Sequence, residues 1–167
     1  MSTFPIHPLR LLSYTTRIYL TLHLIYTHLY TQALTHGASM LPTFSVYGDS
    51  ALISRYYRRG RDIHVGDMVT FDSVVKPGEK VIKRVLGMPG DYVLRDTPRR
   101  DGGCGGMMMQ VPQGHCWVVG DNMPYSRDSR HFGPMPLALI KGKVLSKFQS
   151  WYDPRWVEDG LKPPELD

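Results

Sequence analysis

From Ile18 to His36 the chain contains no Asp, Glu, Lys or Arg, and no acidic residue occurs before Asp49. In those first 48 residues the only lysine or arginine side chains are Arg10 and Arg17. Within the uncharged run, Ile18, Leu22, Ile25, Leu29 and Ala33 recur at helical spacing. Thr21, His28, Thr31 and Thr35 fall largely off that stripe, and Tyr19, Tyr26 and Tyr30 suit a membrane boundary. Three readings compete: a transmembrane helix, a hydroxyl-rich basic targeting segment, and an amphipathic helix packed on a soluble core. Residues 11–34 would cover ~36 Å at ~1.5 Å per residue, enough to span a bilayer. The expectation is therefore a membrane anchor over residues 1–36 that also carries targeting information. A secretory signal peptide fits less well, because Thr and His dilute the apolar part. Arg10 and Arg17 put the N-terminal side in the more negative compartment.

Beyond His36 the pattern changes. Gly (16) and Pro (13) are frequent for 167 residues, and they punctuate short apolar runs at 51–57, 67–71, 80–86, 92–94, 115–119 and 142–148. Such spacing predicts a mainly β domain, a sandwich or barrel, over residues 37–152. Residues 134–140 suit a single helical turn. From Asp153 the proline-rich end (153–167) reads as a loosely attached tail. The net charge of +5 does not force a nucleic-acid partner. Two cysteines exclude a disulfide-dense scaffold. Cys104 and Cys116 could close a hairpin disulfide, but free thiols are the preferred reading. His115 beside Cys116 invites a metal, yet no CxxC or HxxxH spacing supports zinc.

Three polar stretches interrupt the strands. Gly37-Ala38-Ser39-Met40-Leu41-Pro42-Thr43 can form a tight turn that exposes a hydroxyl, but a serine needs a base to act as nucleophile. Lys83 sits between Val81 and Val85 on one face of a predicted strand, with Arg84 on the other. Desolvation there would move its amine toward the pKa of a general base; a snorkelling surface lysine is the alternative. Residues 120–133 are dense in hydrogen-bonding groups. If extended, they would put Ser126, Asp128 and Arg130 on one face; a polar surface loop is the alternative. The segment Arg55-Tyr56-Tyr57-Arg58-Arg59-Gly60-Arg61 is either a solvated strand end or a contact for anionic lipid.

Together these stretches resemble the signature boxes of the type I signal peptidase family of Ser–Lys membrane proteases. Ser39-Met40-Leu41-Pro42-Thr43 is similar to the first box, and Lys83-Arg84-Val85-Leu86-Gly87-Met88-Pro89-Gly90-Asp91 to the second. Gly120-Asp121-Asn122 followed by Ser126-Arg127-Asp128-Ser129-Arg130 resembles the third, and Gly66-Asp67-Met68-Val69 a short strand box. The order is the family's own, after an N-terminal hydrophobic segment. The resemblance implies that Ser39 is the nucleophile and Lys83 the general base. It implies that Ser126 orients the amine, that Asp128 and Arg130 brace the site, and that Met40 lies beside the substrate cleft. No metal or other cofactor is implied.

The short span between the second and third boxes most resembles the compact mitochondrial members. That implies removal of sorting peptides from precursor polypeptides, a related second catalytic subunit, membrane lipid as a contact, and no nucleic acid. It also implies an inner-membrane location with the catalytic domain facing the intermembrane space. A secretory signal peptidase and a catalytically silent adaptor of the same fold are the rivals. One departure stands out: Gly37 occupies the position where many bacterial members carry a hydroxyl for the oxyanion.

Overall fold

The fold is described from a computed structural model that covers residues 8–76, 78–95, 106–149 and 154–157. Helix α1 (Pro8–Leu24) continues through one π-helical stretch, Ile25–Leu29. None of its side chains is buried. The threonines on this helix do not leave bare hydroxyls: Thr15 and Thr16 both donate to the Leu12 carbonyl, Thr21 to that of Arg17 and Thr27 to that of His23. Such back-bonding lets a hydroxyl-rich helix present an outwardly apolar surface.

The helix expected through Leu34 stops earlier. Tyr30–Leu34 forms strand β1 and pairs antiparallel with β2 (Ser50–Ser54), from Tyr30↔Ser54 to Leu34↔Ser50. Arg55 closes the helix end by donating to the Thr27 carbonyl at 2.8 Å. Ala33 suits a helical stripe as well as a strand, but the edge of β2 offers backbone partners that an isolated helix turn cannot match. Among the described residues no helix is long and apolar enough to cross a membrane, which corrects the expected spanning anchor.

The remaining strands are β3 (Met68–Asp72), β4 (Lys80–Gly87), β5 (Tyr92–Leu94), β6 (Met108–Gln110), β7 (His115–Val119), β8 (Met135–Pro136), β9 (Ile140–Phe148) and β10 (Pro154–Trp156). Among the described residues the main sheet runs β1-β2-β9-β3-β4-β7-β8, with β10 also on β9; β5 and β6 form a separate hairpin. Register shifts at Leu52/Ile53, Thr70/Phe71 and Val85/Gly87 bend the strands, and the sheet curls into a half-barrel. The fold is thus mainly β, as its punctuation indicates. The expected turn appears as a 3₁₀ turn at Leu137–Leu139. The start of the tail is not loose: Pro154–Trp156 pairs with Ser146–Phe148.

Strand β4 lies between β3 and β7, and its two faces pack on different cores. Val85 belongs to a core with Val69, Phe71, Cys116, Val118, Met135 and Ile140. Ile82 packs instead on a second core of Met40, Phe44, Ala51, Ile53, Met68 and Val144. Lys83 and Arg84 are therefore carried into the interior by their apolar neighbours. Cys104, and with it the Cys104–Cys116 pairing, lies outside the described residues.

Candidate active site

Ser39 sits in a 3₁₀ turn, Ala38–Met40, that follows β1 and overlies the second core through Met40. The turn is entered at Gly37 with φ +105°, a conformation that side-chain-bearing residues rarely adopt. The missing hydroxyl at this position thus has a backbone reason. Asn122 holds the turn from across the domain: its side-chain amide donates to the Ala38 carbonyl at 2.9 Å, and its backbone N–H to the Ser39 carbonyl at 3.1 Å.

Lys83 stands opposite Val69 in the β3–β4 ladder and is 2% exposed. Burial of the ammonium is the dominant influence and lowers its pKa from the usual 10.5 to about 8. The Asp128 and Asp121 charges pull it back up, and that of Arg130 adds to the lowering.

Arg84, the next residue, makes a fork with the Asp121 carboxylate, with two bonds of 2.9 Å, and donates to the Gly66 carbonyl at 2.8 Å. The Thr43 hydroxyl also donates to Asp121. Burial alone raises the Asp121 pKa. The bonds from Arg84 and Thr43, with the charges of Arg84 and Lys83, outweigh it and hold the carboxyl below its usual range. One carboxylate thereby ties the Ser39 loop to the Lys83 strand.

Asp128 and Arg130 do meet, but not on an extended face. Asp128 is the N-cap of α2 (Ser129–Phe132), and Arg130 lies within that helix. The Arg130 guanidinium bonds both carboxylate oxygens of Asp128, at 2.8 and 2.9 Å, and the Met123 carbonyl at 2.7 Å. The Gly120 N–H donates to the same carboxylate at 3.1 Å. Burial works against ionisation of Asp128, but these donors and the nearby Ser126 hydroxyl overcome it and lower the pKa. The Ser126 oxygen is buried and has no partner within hydrogen-bonding geometry. Asp121 and Asp128 thus remain ionised beside Lys83.

Ser39, Met40 and Lys83 line one cleft of about 510 Å³, together with Ala33, Phe44, Tyr125 and Arg127. Of the expected site residues Ser39, Met40 and Lys83 line this cleft, and Ser126, Asp128 and Arg130 do not. Sequence reasoning gave no role to Thr43, Arg84, Gly120, Asp121 or Asn122. All five fall inside the signature boxes, and that clustering was the available signal. Gly120 is required by contact: a methyl there would strike the Ser126 hydroxyl and come within 2.5 Å of the Ser39 carbonyl. Cys116 is buried and its pKa is pushed up to about 12, so it is an inert thiol.

The signal peptidase (peptidase S26) family profile matches residues 9–99 and 95–151. The chain belongs to the signal peptidase S26 family. This S26 peptidase is a serine endopeptidase. It is 37% identical over 143 residues to mitochondrial inner membrane protease subunit 1 of Saccharomyces cerevisiae, covering 80% of this chain and 75% of that one. Against subunit 1 of Schizosaccharomyces pombe the identity is 34%, over 87% of this chain and 88% of the other. Subunit 2 of Danio rerio is 34% identical over 76% of this chain and 68% of its own length. These relatives group the S26 peptidase with the proteases of the mitochondrial inner membrane.

The site predicts a contrast between two of its residues. Asp128→Ala should cost about 3–5 kcal/mol of stability, because it removes the buried carboxylate that the Arg130 guanidinium forks and leaves the helix uncapped. Ser126→Ala should cost almost none, since its buried hydroxyl makes no well-formed bond to lose, yet it should lower turnover. Urea unfolding alongside peptide cleavage checks both; equal destabilisation by the two substitutions would contradict this account.

Proposed function

We propose that Ser39 is the nucleophile and Lys83 the general base, and that the peptidase removes sorting peptides from precursors bound for the intermembrane space. The observation that carries the dyad is a buried lysine with a pKa of about 8 lining the same cleft as a serine on a rigid turn. Near neutral pH a useful fraction of such a lysine is the free amine, whereas an ordinary lysine is almost wholly protonated. Neutral Lys83 takes the proton of the Ser39 hydroxyl as the oxygen attacks the scissile carbonyl carbon. The Ser39 backbone N–H donates to the oxyanion. The ammonium then protonates the leaving amine, and the amine it regenerates activates water against the acyl-enzyme. Ser126 orients the Lys83 amine, a role supported by its buried oxygen having lone pairs unshared with any other partner, and Asp128 with Arg130 holds its loop.

The exposed apolar face of α1 sits in the membrane without the helix crossing it, and the β domain lies in the intermembrane space. A related second subunit assembles with it, as the naming of the relatives as subunits 1 and 2 supports. The test is to incubate the reconstituted chain, with and without such a subunit, with candidate precursors and to map the new N-termini. Cleavage by wild type and none by Ser39→Ala is expected. Undiminished cleavage by purified Ser39→Ala would remove the dyad, and protection of the domain from protease until the inner membrane is lysed would reverse the orientation.

A further inference from the structure

The basic segment after β2 has a place in the fold that composition alone does not give it. Arg55–Gly60 forms two short 3₁₀ turns kinked at Arg58 and Arg59. Its first residue, Arg55, grips the Thr27 carbonyl at the point where the exposed helix joins the domain. At ~2 Å per residue, Arg58, Arg59 and Arg61 lie within about 12 Å of that junction. All three are exposed. Arg61 stacks over the Tyr56 ring at 5.2 Å, and among the described residues no hydrogen bond or ion pair engages the guanidinium of Arg58 or Arg59. The single acid nearby, Asp62, already accepts from the Tyr56 hydroxyl at 3.1 Å.

Arg59 adds a second observation. Its backbone is left-handed, at φ 60° and ψ 26°. Such a conformation is strained for a side-chain-bearing residue, and glycine would adopt it without strain. Gly60 follows at φ +78°, pressed against Leu137. The chain therefore holds an exposed guanidinium at a position where its backbone disfavours any side chain. Strain kept at an exposed charge points to a use for the charge.

We infer that Arg58, Arg59 and Arg61 form a contact surface for the phosphate headgroups of anionic phospholipids. The inference rests on the reading that α1 sits in the bilayer. With the helix so placed, its junction with the domain lies at the interface. The polar zone there is only about 5–8 Å deep on each side, so arginines this close to the junction fall at or beside headgroup level. Each cation near an anionic surface strengthens binding by roughly fivefold, so three give of the order of 100-fold.

The experiment compares flotation of the full-length chain with vesicles of pure phosphatidylcholine and with vesicles of phosphatidylcholine and phosphatidylglycerol. Wild type should prefer the anionic vesicles by about 100-fold at low salt, and the preference should fall as salt is added. Arg58→Ala, Arg59→Gly and Arg61→Ala combined should abolish the preference but leave binding to neutral vesicles and peptide cleavage in neutral detergent unchanged. Arg59→Gly alone should lose about fivefold of the preference while its melting temperature holds or rises, because it relieves the strained backbone. A triple variant that keeps the full preference overturns the inference. Wild type that floats equally with both vesicle types overturns it too, and leaves the membrane reading of α1 intact. Wild type that floats with neither overturns the membrane reading itself, and the headgroup contact falls with it.

Discussion

Lys83→Met should abolish peptide cleavage and, at neutral pH, make the protein more stable. The loss of activity comes from removing the base: of the order of 10⁴-fold, the upper range for a positioned proton acceptor. The gain in stability comes from burial. The Lys83 pKa is about 8 in the folded protein, against 10.5 for an unburied lysine. Below pH 8 the amine is protonated in both states, and the folded state bears the full cost of holding an ammonium in the interior, about 3 kcal/mol. Between pH 8 and 10.5 the unfolded chain binds more protons than the folded one. Wild-type stability contributed by this group therefore rises with pH across that window, and the penalty is gone above it. Methionine has a similar volume and no charge, so it removes the penalty at pH 7 and should raise the melting temperature by several degrees. The advantage of the variant should shrink from pH 8 toward 10.5. In wild type, cleavage should climb with pH to half its plateau near pH 8. Thermal melts of both proteins across this range, with a pH–rate profile, check the account; a variant less stable than wild type at pH 7 would contradict it.

The second large effect is expected at a residue with no chemistry of its own. Gly120→Ala puts a methyl against the Ser126 hydroxyl and within 2.5 Å of the Ser39 carbonyl, so the first and third boxes must separate. Overpacking of this kind costs about 1–3 kcal/mol. Displacing a nucleophile by about 1 Å can cost ~100-fold in rate, so activity should fall further than stability explains. Gly142→Ala provides the comparison: its methyl would also meet a backbone carbonyl at 2.5 Å, that of Ser54, but on β9 away from the serine turn. Gly142→Ala should destabilise while the folded fraction keeps its turnover. Purified variants assayed below their melting temperatures separate the two, and full specific activity in Gly120→Ala would show that the box contact does not position Ser39.

Short apolar runs bounded by Gly and Pro were enough to place β3, β4, β7 and β9, because a run too short for a helix and apolar nearly throughout suits a strand with protein on both faces. The serine, lysine and third polar stretch were legible for a different reason: their residue types are chemically expensive to keep and so stand out from their surroundings. Strands β1, β6 and β8 were not legible. They are short, and what makes each a strand is a partner's edge rather than its own pattern. Tyr30–Leu34 is the clearest instance, since its stripe satisfies a helix and only pairing with Ser50–Ser54 decides against one.

The site divides along the same line. By itself the sequence singled out Ser39, Lys83, Ser126, Asp128 and Arg130 as the candidates, through their place in the signature boxes, and it marked Gly37 as a departure from the family's pattern. Tertiary structure decided what those groups can do. The pKa of Lys83 falls to about 8 only because the folded sheet buries its side chain, and its flanking valines in the sequence do not lower it until that burial exists. Asp128 reaches Arg130 by capping a helix that no period announces. Asp121 lies 37 residues from Arg84 and 78 from Thr43 in the chain, and bonds from both help hold its part-buried carboxylate ionised. Periodicity reports a residue's relation to its own element, whereas desolvation and charge pairing depend on groups brought from elsewhere, and only folding supplies those.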